Sequence, residues 1–238
     1  MTATDRPHLL LLPGLLNDAR LWQHQVAGLA DIADIVVGDL TGSSTITSLA
    51  TAVLAQMPAE RFALAGLSMG GYVAFEILRQ APQRISALAL LDTTARPDTP
   101  QAIENRRTLM KLARSNFPAV IEALIPKMVH PSKLNNKELP ELITAMAESV
   151  GQRAFLKQER AIMRRIDSTP LLRQIDCPTL VLCGRDDVIT PLAIHQEMAS
   201  MIPDTTLEII DECGHLSPIG QPRQVTAALR KWLTAAMA

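Results

Sequence analysis

The sequence predicts an α/β fold: a doubly wound sheet of about six parallel strands, with a helical insertion after the fourth. Three observations lead there. Six short apolar runs punctuate the chain, and helical patterns lie between them. Most of these runs are continuous rather than alternating, as strands covered on both faces require. One long interval, residues 93–173, carries helical patterns and no convincing strand.

The first run, HLLLL at 8–12, stops at Pro13-Gly14, and a helical pattern covers 18–29. ADIVVG at 33–38 precedes a helical pattern at 47–57, and RFALAG at 61–66 precedes one at 69–80. SALALL at 86–91 is the fourth strand. Four helical segments follow, at 100–115, 118–128, 137–150 and 152–165. An interval of that length is too long for a loop, so it reads as an inserted helical unit. PTLVLCG at 178–184 and TLEIID at 206–211 return to the sheet, with helices expected at 192–201 and 221–236. Strand alternating with helix implies right-handed crossovers, hence parallel strands. The expected division is a core of 1–92 and 174–238 with a cap of 93–173.

Bulk properties exclude several classes of function. With 47 % hydrophobic and 20 % charged residues, the chain of 238 is globular rather than disordered. A formal charge of −1 points neither to nucleic acid nor to a membrane surface. Cys177, Cys183 and Cys213 are an odd number without metal-ligand spacing, which suits a reducing, cytoplasmic setting. The apolar run after MTATDRPH is too short for a signal peptide, and no run approaches a membrane span. A monomer or homodimer is expected.

The chemistry is concentrated in Gly66-Leu67-Ser68-Met69-Gly70, where a strand gives way to a helix. A serine hydroxyl is a weak nucleophile and needs a base and donors for the developing oxyanion. A tight strand-to-helix turn lifts it clear of the sheet, and flanking glycines avoid clashes there. An acid and a histidine should then follow later strands. The fifth strand ends in GRDDVITP, offering Asp186 and Asp187; the sixth ends in ECGHLSP, offering His215. Both lie at the carboxyl edge, where open α/β sheets bind ligands. His8 begins a strand. His24 and His195 lie in helices and read as ordinary surface or helix-face residues. His130 is a lid-loop residue that could line a pocket.

Taken in order, LLLPGLL, GDLTG, GLSMGG, LCGRDDVITP and DECGHLSP resemble the α/β-hydrolase superfamily, in its small esterase, lactonase and haloperoxidase-like branch. The resemblance covers nearly the whole chain. It implies Ser68 as nucleophile, His215 as base and Asp187 as acid, since the family's acid stands four residues before the loop proline, here Pro191. Asp92, ending the fourth strand, is a second candidate acid that some relatives use. The implied oxyanion hole uses the backbone N–H groups of Leu15 and Met69. The usual His-Gly before the first of these is Pro13-Gly14 here, so the histidine's support of that loop is missing. GDLTGSS lacks the longer arginine- and glycine-containing turn of many relatives. The N-terminal antiparallel hairpin of larger relatives is also expected to be absent, leaving six parallel strands.

The implied activity is hydrolysis of a carboxylic ester or lactone through an acyl-enzyme, needing no metal or organic cofactor. Two other readings share the framework: a C–C bond hydrolase or lyase on the same triad, and a ligand-binding or sensing protein that keeps the shell. The insertion holds 14 Lys and Arg against 8 Asp and Glu, a basic lid on an acidic body. Solvated helix faces explain that. A functional explanation has Arg96, Arg106, Arg107, Arg160, Arg164 or Arg165 meeting an anionic or carrier-protein-bound substrate, as relatives that hydrolyse methyl esters on acyl-carrier protein do. Leu109, Phe117, Ile121, Met128, Met146, Phe155 and Met163 read mostly as lid core, with a few lining an aliphatic, methionine-lined pocket.

Overall fold

The computed structural model describes residues 6–237, so the first residues of the N-terminal segment lie outside it. Six strands form one sheet: β1 His8–Leu12, β2 Asp34–Val37, β3 Phe62–Leu67, β4 Ile85–Leu91, β5 Thr179–Gly184 and β6 Thr205–Ile210. Their order is β2-β1-β3-β4-β5-β6, and every pairing is parallel.

Burial on both faces explains the continuous apolar runs. Successive side chains of a strand point to opposite faces. Leu9 and Leu11 of β1, with Ala63, Ala65 and Leu67 of β3, pack on one side against Trp22, Leu29, Val225 and Leu229. Leu10 and Leu12, with Phe62 and Leu64, pack on the other against Val53, Val73, Phe75 and Ile77. Each fully buried Leu or Phe contributes about 1.5–3 kcal/mol.

The helices are α1 Gln23–Leu29, α2 Ile46–Gln56, α3 Met69–Gln80, α4 Pro100–Ser115, α5 Phe117–Met128, α6 Glu138–Met163, α7 Leu192–Met201, α8 Ser217–Gly220 and α9 Pro222–Ala235. The expected first helix opens instead as a 3-10 turn, Ala19–Trp22, because the Asp18 carboxylate caps the Arg20 N–H. The expected last helix is α9, begun by Pro222, and a short helix not expected from the sequence, α8, precedes it. In α6 the run breaks at Gly151 (φ 77°, ψ 162°), matching two expected segments. Helices α4 to α6 lie between β4 and β5 in sequence, and their apolar faces continue the α1/α9 cluster through Val120, Ile121, Met146 and Phe155. Among the described residues no helix is long and apolar enough to cross a membrane.

Candidate active site

Among the described residues, four that are not glycine have positive φ: Leu16, Ser68, Asp92 and Glu212. They follow β1, β3, β4 and β6 respectively, so the strained backbone gathers at the carboxyl edge of the sheet.

Ser68 sits between β3 and α3 at φ 52°, ψ −113°. Its N–H donates to the Leu91 carbonyl at 3.0 Å, and its carbonyl accepts from Gly71 N at 2.9 Å and Thr93 Oγ1 at 2.8 Å. The glycines around it are steric necessities. A Cβ on Gly66 would fall within 3.0 Å of the Gly70 backbone, and one on Gly70 within 3.0 Å of the Leu12 carbonyl. The turn can be this tight only without those side chains.

Two loops bring partners to this serine. His215 Nε2 lies 2.8 Å from Ser68 Oγ, and Nδ1 lies 2.8 Å from Asp187 Oδ2. His215 and Asp187 are both buried. The ionised carboxylate only accepts, so Nδ1 carries the proton and Nε2 accepts from the serine hydroxyl. Asp187 also accepts from the N–H groups of Ile189 and Thr190 and from Thr190 Oγ1 at 2.6 Å. Burial pushes Asp187 up, but the charge and hydrogen bond of His215 and the Thr190 donors outweigh it and hold the carboxyl below its ordinary value. Burial pulls His215 down; the Asp187 charge and hydrogen bond outweigh that and hold the imidazole above its ordinary value.

The other candidate acids lie apart from the imidazole nitrogens. Asp92 is fully buried and accepts from Gly184 N at 2.9 Å and Ser217 N at 3.3 Å, pinning the loops after β5 and β6. Burial, then the Asp187 charge, drives it up to about 7. Asp186 is partly exposed, 3.5 Å from His130 Nε2.

His195 departs from the surface or helix-face expectation. It is fully buried, and its Nε2 accepts from Thr93 N at 3.0 Å, fixing the chain just beyond Asp92. Burial lowers it to about 4, so it is a neutral acceptor at pH 7. His130 closes the outer end of α5; its Nδ1 bonds Ser132, and the preceding Met128 carbonyl accepts from Leu216 N at 3.1 Å. That contact ties α5 to the loop carrying His215.

Leu15 lies in the turn after β1, closed by Asn17 N donating to the Gly14 carbonyl at 3.2 Å. Met69 is the first residue of α3, so its N–H has no acceptor within the helix. The support missing with the histidine comes from elsewhere. Gln158 of α6, fully buried, accepts from Leu16 N at 3.1 Å and donates to the Leu40 carbonyl at 3.2 Å.

A cavity of about 290 Å³ opens on Ser68 and His215. Apolar residues such as Leu15, Leu109, Leu124 and Met128 line much of it, and Asp98, Arg106, Glu159 and Arg165 form a polar wall. The aliphatic expectation is thus half the picture. Arg106 bridges Asp98 at 2.7 Å and Glu159 at 2.9 Å; Arg165 meets Asp98 at 2.7 Å and lies over the Tyr72 ring. Arg96 pairs with Glu197 and Arg107 with Glu104. Arg160 and Arg164 line a separate groove beside Arg107, Met110, Arg114 and Met163. Among the described residues no group of three or more His, Cys, Asp or Glu could hold a metal ion. The three thiols are buried, and burial pushes them all up, Cys177 to about 11 and Cys183 to about 12, so none is a reactive thiolate.

Asn17, Gln158 and Thr190 were not singled out from the sequence, and His195 was read there as an ordinary residue. Only Thr190 carried a local signal, three residues beyond an aspartate in a turn, where side chain and backbone close on the carboxylate.

The chain is 26 % identical to the pimeloyl-[acyl-carrier protein] methyl ester esterase of Nitrosomonas europaea, over 94 % of each chain. It is also 26 % identical to 3-oxoadipate enol-lactonase 2 of Acinetobacter baylyi, over 94 % of this chain and 88 % of that one. A thermophilic esterase from Thermogutta terrifontis superposes with a TM-score of 0.92 at 35 % identity, over 98 % of this chain and 91 % of that structure. The sequence model for the α/β hydrolase fold matches residues 7–222, and the chain belongs to that family.

Proposed function

We propose that the chain is a carboxylic-ester hydrolase that cleaves an ester or lactone through a covalent acyl-enzyme on Ser68. The observation that carries this is the unbroken hydrogen-bonded line from Ser68 Oγ through His215 to Asp187, opening on a cavity of about 290 Å³. The esterase and lactonase names of the relatives support it.

In the proposed mechanism, His215 Nε2 takes the serine proton as Oγ attacks the substrate carbonyl. Asp187 holds the Nδ1–H tautomer and stabilises the imidazolium. The N–H groups of Leu15 and Met69 receive the oxyanion; one such donor is worth about 2.7–4 kcal/mol in the transition state. His215 returns the proton to the leaving alcohol, and water then cleaves the acyl-enzyme with the same roles reversed. Residues 93–173 act as a cap, because Leu109, Leu124 and Glu159 from that segment line the same cavity as Ser68. The cavity suits a small substrate. The three free, buried thiols fit a reducing, cytoplasmic setting.

Turnover of short-chain p-nitrophenyl esters by wild type and Ser68→Ala tests the proposal. The variant should lose activity and keep its circular dichroism and melting temperature. Wild-type turnover in Ser68→Ala would remove the nucleophile, and ligand binding without turnover by the wild type would leave a sensing protein.

A further inference from the structure

Asn17 is a buried carboxamide that the other described residues leave unsatisfied. It is 3 % exposed, and neither Nδ2 nor Oδ1 has a hydrogen-bond partner among the described residues. Leaving a buried polar group unpaired is costly, and native structures hold few of them. Asn17 lines the same cavity as Ser68 and His215. A methyl group built on Gly14 would stand 2.9 Å from Asn17 Oδ1, 3.0 Å from Leu67 Cδ2 and 3.4 Å from Ser68 Cβ, so the amide oxygen lies close to the serine. The backbone that carries it is fixed there. Its own N–H closes the turn onto Gly14, and Gln158 pins the N–H of the preceding Leu16. Glu159, a fully buried side chain that lines the same cavity, leaves a third atom unpaired among the described residues, its Oε1.

We propose that Asn17 reads a hydroxyl group that the substrate carries close to its scissile carbonyl, so that the natural substrate is a hydroxylated ester or lactone. This rests on the ester-hydrolase reading and specifies its substrate class. A carboxamide presents an acceptor and a donor side by side, and a hydroxyl answers both. An alkyl chain leaves both unpaired. A carboxylate uses only the donor, and the guanidinium groups of Arg106 and Arg165 in the same cavity are already committed to Asp98 and Glu159. Turning the amide over exchanges its two ends and alters none of this.

The test is a matched set: methyl butyrate, its α-hydroxy and β-hydroxy derivatives, and monomethyl succinate. The better hydroxy ester should exceed methyl butyrate in kcat/KM by about tenfold or more, because a site built to bond a hydroxyl rejects the analogue without it. Asn17→Leu, close in volume, should bring that ratio to about one without lowering the melting temperature. Asn17→Ala gives the same reading should leucine not fold. Calorimetric binding of the four esters to Ser68→Ala, with and without Asn17→Leu, reads the preference independently of turnover. A wild-type ratio at or below one for both hydroxy esters overturns the proposal. So does a ratio that survives both substitutions, or a lower melting temperature with the ratio unchanged. Failure of wild type to hydrolyse any of the set would sink the hydrolase reading instead, and the binding arm would still decide Asn17.

Discussion

Gln158 Oε1 accepts the Leu16 N–H at 3.1 Å, across 142 positions of sequence. Its Nε2 donates to the Leu40 carbonyl, so one buried side chain of α6 joins the turns after β1 and β2. Leu16 has φ 60°, a conformation that costs an ordinary residue about 1–3 kcal/mol and needs outside support. The residue before it, Leu15, carries a proposed oxyanion donor.

Gln158→Leu should therefore act twice. It leaves a buried N–H and a buried carbonyl unpaired, each costing about 1–3 kcal/mol. It also frees the turn that aims the Leu15 N–H, and since that donor serves the transition state, kcat should fall more than KM rises. Urea unfolding and steady-state kinetics measure the two effects. Lost stability with kcat unchanged would mean that Gln158 supports the fold and not the turn.

Asp187→Asn should cost roughly 10⁴-fold in kcat, the loss expected when the histidine is held in the wrong tautomer. Asp186→Asn, at a partly exposed carboxylate beside His130, should stay near wild type. Equal losses in the two, or a comparable loss only in Asp92→Asn, would move the acid elsewhere.

The strands, Ser68, His215 and the Asp186–Asp187 pair were legible because their signals are local, and the family resemblance chose Asp187 from that pair. A strand buried on both faces writes a continuous apolar run. A serine between glycines writes its turn, and the acid and histidine each follow a strand. Gln158 and His195 were not legible for the converse reason. Each acts on backbone more than 100 positions away, at Leu16 and Thr93, and nothing beside them in sequence announces it. The cap arginines show the same limit. Their number was countable, but Asp98 and Glu159 stand 8 and 53 positions from Arg106, and only the fold pairs them.

Asp92 predicts a pH dependence. Its folded value of about 7 exceeds the roughly 3.9 of an unfolded aspartate. Between those values the native state holds a proton that the unfolded chain has lost, so stability should fall as pH rises from about 4 to 7. His215, raised in the fold, extends the loss above about 6.5, whereas Asp187, lowered, loses its stabilisation only as pH falls below about 4. Asp92→Asn should flatten the slope between about 4 and 7. The Asp92 charge also helps to raise His215, so the same variant should lower the apparent pKa at which kcat/KM rises. Denaturant melts at several pH values and a pH–rate profile provide both readings; an unaltered slope would place the ionisation on another group.

Arg106 separates a structural cation from one that attracts substrate. Its partner Glu159 is fully buried and the Asp98 side chain is 6 % exposed, so removing the guanidinium strands charge in the interior. Arg106→Met should destabilise the protein by about 3–5 kcal/mol, the usual cost of breaking a buried pair from one side. Arg106→Met/Glu159→Leu should recover much of that, because apolar side chains can replace a buried ion pair with little loss. Arg164→Gln, at an exposed side chain on the outer groove, should change stability by no more than about 0.5 kcal/mol. With Arg106 and Arg165 already facing acids, the monomethyl ester of a dicarboxylate should gain no salt-sensitive advantage over a neutral ester of equal length. A strong preference for that monoester, falling as salt rises and lost in Arg106→Met at unchanged stability, would show that the guanidinium is available to the substrate rather than committed to the wall.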